Sequence, residues 1–275
     1  MPEVYTHGHN ESVLRSHAWR TAENSAAYLL PHLEPDHRLL DVGCGAGTIT
    51  TGFTRYVPDG HVTGIDAGEG VIVQARAAVA SAAGSGSQEP VRNVDFATGD
   101  VYALDFPDGS FDVTHAHQVL QHLGDPVRAL REMRRVTKPG GIVAVRDADY
   151  GAMFWYPLID ALEEWRNLYR AVARGNGGEP DAARRLHVWA RAAGLTDVTV
   201  SSSTWTYSTP EERDWWGGTW ADRTIEPPYS EGALAGGHAT TADLGRIAAA
   251  WRDWAADEDG WFCVVNGELI CRVPE

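Results

Sequence analysis

The stretch "LLDVGCGAGTIT", Leu39 to Thr50, decides the fold. A short apolar run ends in an acid, Asp41, and glycines follow at alternate positions: Gly43, Gly45 and Gly47. An apolar run broken by glycine reads as a strand turning into a helix. Glycine has no Cβ, so a ligand can lie close against such a backbone. A phosphate-binding P-loop requires G-x-x-x-x-G-K-[ST], and no lysine is near. The dinucleotide fingerprint G-x-G-x-x-G is also missed, because position 48 is Thr. An acid near the end of the second strand, Asp66, fits either a dinucleotide or another nucleoside. Asp41 before the loop and Asp100 after the third strand separate the two.

Outward from the loop, "RLLDVG" (38–43), "HVTGID" (61–66), "VDFATGD" (94–100), "FDVTHAH" (111–117) and "GIVAVRDA" (141–148) read as strands. Helical patterns lie between them at 46–56, 68–83 and 125–137. This alternation predicts an α/β fold, a mostly parallel sheet with helices on both faces. Residues 1–37 read as a helical leader, 38–148 as the core of a single domain, and 149–275 as its second half. In that half, 180–195 reads as a helix, 196–207 as a strand, and about 208–260 as a helical insertion. "STPEERDWW" places cap, proline and acids in the order a helix start requires. The final "WFCVVNGELICRV" (261–273) is either a hairpin turning at Asn266-Gly267 or one strand bulged at Gly267. "AAGSGSQEP" (82–90) is read as a flexible loop.

The 275 residues carry a net charge of −15, which argues against nucleic acid or an anionic membrane as partner. Lys138 is the only lysine among 23 basic residues, and the basic run around it reads as a solvated helix face. Cys44, Cys263 and Cys271 are too scattered for a disulfide framework or a zinc site. His7, His9 and His17 do not form a recognised ligand pattern, so no metal is expected. The N-terminus has no apolar core for a signal peptide, and no run is long enough to span a membrane. A cytoplasmic setting is expected.

The ordered set "LLDVGCGAGTIT", "GIDA" (64–67), "FATGDVYALDFPDGSFDV" (96–113) and "QVLQHLGDPVRALREMRRVTKPGG" (118–141) resembles the class I S-adenosylmethionine-dependent methyltransferases. "LQHLGDP" with "VTKPGG" points to the branch with quinone C-methyltransferases and small-molecule tailoring enzymes of natural-product metabolism. The resemblance covers residues 38–148. It implies a Rossmann-like, seven-stranded sheet with a helical leader and a helical substrate cap. It further implies S-adenosylmethionine as cofactor, held by Tyr5, Asp41, Gly43, Cys44, Gly45, Gly47, Asp66, Ala67, Asp100, Val101, His117, Gln118 and His122. In this reading Asp66 accepts both ribose hydroxyls, Asp100 takes the adenine amino group, the Val101 amide reads a ring nitrogen, and Asp41 orients the loop. The alternatives are an NAD(P)-dependent oxidoreductase and a non-catalytic S-adenosylmethionine-binding partner protein.

Methyl transfer from a sulfonium needs alignment and exclusion of water, and a base only where the acceptor is protonated. His117, Asp147 and Asp149 are the candidates for proton or orienting roles. His115 is expected to face away from His117. Of the 11 tryptophans only Trp19 precedes residue 150, and Trp19 and Tyr28 are read as packing residues of the leader. An aromatic load suits a flat or apolar acceptor. Tyr150, Phe154, Trp155, Trp205, Trp216 and Trp220 are the candidate acceptor residues. The expected partner is a small aromatic or prenylated, terpenoid-type molecule. Aromatic walls would also steady a carbocation. Exposed tryptophans would alternatively serve a homo-oligomer.

Overall fold

The computed structural model describes residues 19–84 and 92–275. Tyr5, His7, His9 and His17 lie outside the described residues, as does most of the loop expected at 82–90. The strands are β1 Arg38–Val42, β2 His61–Asp66, β3 Val94–Thr98, β4 Phe111–His117, β5 Thr137–Ala148, β6 Phe154–Tyr156, β7 Asp197–Tyr207 and β8 Trp261–Arg272. The helices are α1 Ala22–Ser25, α2 Thr48–Phe53, α3 Glu69–Gly84, α4 Pro126–Val136, α5 Asp160–Gly175, α6 Leu186–Ala192, α7 Pro210–Ile225, α8 Tyr229–Ala235 and α9 Thr241–Ala256.

One sheet runs β3-β2-β1-β4-β5-β8, with β7 on the far side of β8 and the short β6 pairing with the start of β8. Strands β1 to β5 pair in parallel, and β8 runs antiparallel to its neighbours. The chain order reverses between β1 and β4. Open sheets of this kind bind ligands at that point, beyond the strands' carboxyl ends.

Two-residue alternation sorts the sheet's side chains. Leu40, Val42, Val143, Val145 and Leu269 pack on one face against α4 and α6. Leu39, Val113, Ile142, Ala144 and Ile270 pack on the other against α1 and α2. The cap, α5 and α7 to α9, closes over Ala148, Phe262 and Val264 with Trp165, Trp220, Trp251 and Trp254 fully buried. Aromatic edges meet aromatic faces there: Trp165 lies 4.5 Å from Trp220 and 4.8 Å from Trp251.

Several expectations change. The eighth strand is β6, where seven were expected. Among the described residues the leader is not one continuous helix: α1 stops at Ser25, and a separate 3-10 turn follows at Leu30–His32. The helix expected over 180–195 opens as a 3-10 turn, Ala182–Arg185, before α6. α3 continues through Gly84, into the segment read as loop. α5 was not expected at all, although Leu162, Trp165, Leu168, Tyr169 and Val172 mark its buried face at helical spacing. The final segment is neither hairpin nor bulged, because Asn266 and Gly267 pair in continuous register with β5 and β7. A Cβ at 267 would crowd Ala183, whose Cβ and O would lie 3.0 Å away. The start of α7 is as the sequence reads: Thr209 and Glu212 form a reciprocal capping box, with Pro210 in the first turn.

Candidate functional site

The loop after β1 takes left-handed backbone at all three glycines, φ 69° at Gly43, 54° at Gly45 and 77° at Gly47. Side chains other than glycine resist that region. The loop is packed as well as bent. A Cβ at Gly43 would stand 2.4 Å from Val119 Cγ2, and one at Gly47 2.6 Å from the Phe96 ring. Cys44 N donates to Ile65 O at 2.9 Å, tying the loop to β2. Burial pushes the Cys44 thiol up, so it stays protonated.

Asp66 ends β2 with its carboxylate half-buried. Its Oδ2 accepts Gly45 N–H at 3.0 Å and its Oδ1 accepts Gly68 N–H at 2.9 Å. Each oxygen keeps a further lone pair, so an oriented anion stands beside the glycine loop, suited to a vicinal diol. Ala67 beside it is exposed. Asp100 is exposed after β3 and accepts Tyr102 N–H at 2.8 Å, while Val101 is half-buried against the core. The residues present therefore fit a nucleoside laid across the ends of β1, β2 and β3.

Asp41 does not share that surface. It is buried between Thr50, whose hydroxyl donates to Oδ2 at 2.6 Å, and His115, whose Nδ1 lies 2.7 Å from Oδ1. It pins α2 to β4, a positioning role consistent with orienting the loop. His115 and His117 are two positions apart on β4 and so share a face, against the expectation that they part. His115 packs on Phe53 of α2, and His117 lies 5.5 Å from Trp205 on the same side.

Gln118 joins the two halves of the site. Among the described residues it is the one non-glycine with positive φ, at 53°. Its N–H donates to Arg146 O at 2.7 Å, its Nε2 donates to Asn266 Oδ1 at 3.3 Å, and its Oε1 accepts from Arg20 Nη2 at 2.7 Å. Held backbone strain of this kind concentrates where a protein must position a ligand. Next to it, Val119 closes on Gly43, so the glycine loop and the turn after β4 are in contact.

Beyond Gln118 opens a narrow cavity walled by Trp19, Tyr150, Trp205, Tyr207, Trp215, Trp216 and Trp220. Arg20, Arg223, His122, Met153, Ala148 and Val264 complete it. Four expected acceptor residues meet there: Tyr150, Trp205, Trp216 and Trp220. Phe154 does not; it is exposed and stacks edge-on against Trp261. Trp155 is buried away from the cavity, stacked on Phe262 at 5.6 Å. Trp19, read as a packing residue, is a cavity wall 5.3 Å from Trp205. Tyr28 remains a packing residue, against the α1–α2 side of the sheet.

The two acids at the end of β5 and just beyond it, Asp147 and Asp149, face elsewhere. Asp147 is fully buried, and its Oδ1 accepts Gln121 N–H at 3.0 Å. Burial pushes its carboxyl up to about 7. Asp149 forms a two-pronged ion pair with Arg184, at 2.7 and 2.6 Å, and accepts Ala152 N–H. Neither lines the cavity, so the expectation that either orients an acceptor is corrected.

His122 does line it. Burial, then the charges of Arg20 and Arg223, push its imidazolium pKa down to about 3, so the ring is neutral. Gln121 Oε1 accepts Ala148 N–H, which turns the amide so that Nε2 donates to His122 Nε2 at 3.1 Å. The ring proton therefore sits on Nδ1. Sequence reasoning missed Trp19, Arg20 and Arg223 as cavity residues, since they come from the leader and the cap. No group of three or more His, Cys, Asp or Glu among the described residues is arranged to hold a metal. No described helix is long and apolar enough to cross a membrane.

A glycine loop, an oriented carboxylate beside it and an adjoining aromatic-walled cavity at the switch point of a 3-2-1-4-5 sheet define a nucleoside-cofactor enzyme of the class I methyltransferase architecture. The family described as "Methyltransferase domain" matches residues 33–208. A relative in Schizosaccharomyces pombe, named "Uncharacterized methyltransferase C1B3.06c", is 36% identical over 278 residues, covering 98% of this chain and 97% of its own. "Probable methyltransferase ltbC" of Aspergillus luteorubrus is 31% identical, covering 97% and 96%. The crystal structure of the YcgJ protein of Bacillus subtilis superposes with a TM-score of 0.60 at 21% identity, over 92% of this chain and 99% of that one. The chain belongs to the methyltransferase-domain family, as a class I S-adenosylmethionine-dependent methyltransferase.

Proposed function

We propose that this enzyme transfers the methyl group of S-adenosylmethionine to a small aromatic or apolar metabolite seated in the tryptophan-walled cavity. The observation that carries the reading is the contact between the two sites. Gln118 lines the cavity, and its neighbour Val119 packs on Gly43 of the glycine loop.

The cofactor supplies an activated methyl on a sulfonium with a good leaving group. Gly43 to Gly47, Asp66, Asp100 and the turn from His117 to His122 hold it in this reading. The protein's remaining work is to fix the approach line and keep water out. The aromatic walls exclude water, and the hydrogen bonds of Gln118 to Arg20 and Asn266 fix the junction. His122 Nε2 is engaged by Gln121, so that atom is not the acceptor of a substrate proton. In this reading alignment and the exclusion of water carry the rate, and a base is required only for an acceptor that is protonated. The G-x-G-x-G spacing and family membership leave the oxidoreductase alternative without support.

Calorimetry with adenosylhomocysteine should show saturable binding. Val264→Phe, which fills the cavity wall, should keep that binding while abolishing transfer of isotopically labelled methyl to an acceptor mixture extracted from cells. Loss of adenosylhomocysteine binding in Val264→Phe, or methyl transfer retained in it, would overturn the assignment of the two sites.

A further inference from the structure

Asn266 is out of character for its place in the fold. Asparagine is depleted in strands. Yet Asn266 sits in the middle of β8, 0% exposed, opposite Ala148 of β5 and Ser203 of β7 in unbroken register. No turn accounts for it. A buried amide costs stability unless its polar atoms find partners.

Its partners form a chain with one direction. A guanidinium only donates, so the Gln118 atom 2.7 Å from Arg20 Nη2 is Oε1. Gln118 therefore turns Nε2 to Asn266, and the atom that accepts from it, 3.3 Å away, is Oδ1. That leaves Asn266 Nδ2 to donate to Val264 O at 3.4 Å. A carbonyl only accepts, so both ends of the chain fix the same order. The chain starts in the leader, crosses β5 and ends at Val264, which lines the cavity.

What the chain restrains is the Gln118 backbone. Its φ of 53° is a conformation that persists only where the surroundings impose it. The bond from its N–H to Arg146 O holds the main chain, and the bonds to Arg20 and Asn266 hold both ends of the side-chain amide. Val119, the next residue, packs on Gly43, so a shift of the turn is passed to the glycine loop.

We infer that Asn266 is a positioning residue for methyl transfer: by orienting the Gln118 amide it keeps the turn after β4 against the glycine loop and in line with the cavity. The inference rests on the methyl-transfer reading. Asn266 does not line the cavity itself, so it acts through Gln118.

The test is calorimetry with adenosylhomocysteine on the full-length protein, with Tm measured alongside. Asn266→Leu, close in shape and without polar side-chain atoms, should lower affinity about 3- to 10-fold, the effect of losing one hydrogen bond. Gln118→Met should lower it at least as much. The double variant should bind within about twofold of Gln118→Met, because Asn266 has no other route to the site. A purely structural amide would instead lower Tm alike in both backgrounds and leave the affinity of the folded protein unchanged. Asn266→Asp separates position from stability. In either protonation state it offers Gln118 an acceptor, so affinity should stay within about twofold of wild type even where Tm falls. Wild-type affinity in Asn266→Leu or in Gln118→Met overturns the proposal. So does a loss in Asn266→Leu that adds in full to that of Gln118→Met, or Asn266→Asp binding as weakly as Asn266→Leu. Where Asn266→Leu fails to fold, the other two single variants decide. Weakened binding in Gln118→Met with wild-type binding in Asn266→Asp supports the proposal, and any other pair of results overturns it. A wild type that does not bind adenosylhomocysteine would sink the methyl-transfer reading and this inference with it, whereas wild-type binding without the coupling sinks this inference alone.

Discussion

Replacing Glu268 by Gln should destabilise the protein strongly and specifically through Arg146. Arg146 on β5 and Glu268 on β8 are register partners, 1% and 5% exposed, with Arg146 Nε 3.2 Å from Glu268 Oε1. Ser203 bridges them and Ser201 donates to Glu268 Oε2 at 2.9 Å. Burial lowers the guanidinium pKa to about 10, which leaves it charged at neutral pH. Removing the carboxylate charge therefore strands a buried cation. Breaking such a pair costs about 3–5 kcal/mol. The Trp205 ring 4.4 Å from the guanidinium offsets part of the loss, so about 3 kcal/mol is expected. For a chain of this size that lowers Tm by about 6–12 °C. Urea denaturation of Glu268→Gln, Glu268→Met, Arg146→Met and the double variant Arg146→Met/Glu268→Met gives the answer. The double variant should lie within about 1 kcal/mol of wild type, because neither charge remains to be desolvated. Single losses under about 1 kcal/mol, or a double variant as unstable as the sum of the singles, would show that the pair is not a buried charge couple.

Gly45→Leu should reduce adenosylhomocysteine affinity at least about tenfold, since φ 54° resists a bulky side chain and the Gly45 N–H orients Asp66; unchanged affinity by calorimetry would misplace the cofactor. Asp66→Ala should weaken the same binding about 10- to 100-fold by removing charge-assisted acceptors for a diol, with Tm tracking any loop damage separately. Asp147 binds its proton more tightly folded than unfolded, about 7 against an ordinary 3.8. Its stabilising contribution is therefore full below the unfolded value and is lost as pH rises through 7. Asp147→Asn should accordingly gain about 3 kcal/mol on wild type between about pH 5 and about pH 8 in paired urea titrations, whatever its absolute stability. A difference that does not move with pH would mean that this carboxyl is ionised throughout.

Local chemistry made much of the fold legible. Short apolar runs bounded by turn residues made β1 to β4 and β7 legible nearly to the residue, since both signals are written in consecutive positions. The Thr209–Glu212 capping box was readable for the same reason. So was the glycine loop, because positive φ at three alternate positions leaves few other residues possible. Two misreadings had their signal in the chain: α5 showed helical spacing, and His115 and His117, two apart, had to share a face.

Other features were settled only when distant segments met. Asn266-Gly267 resembles a hairpin turn locally, but pairing on both sides by β5 and β7 satisfies the backbone as one unbroken strand. Asp149 is an acid after a parallel strand until Arg184, 35 residues on, takes both its oxygens. The cavity is of the same kind. Trp19, Arg20, Gln118, Trp205 and Arg223 carry no common spacing, because a pocket is a meeting of faces and no periodicity spans it. Sequence determined where a nucleoside can lie against bare backbone, which is a property of contiguous residues. Tertiary structure alone decided what stands beside it, because burial and charge convergence depend on residues the chain holds far apart.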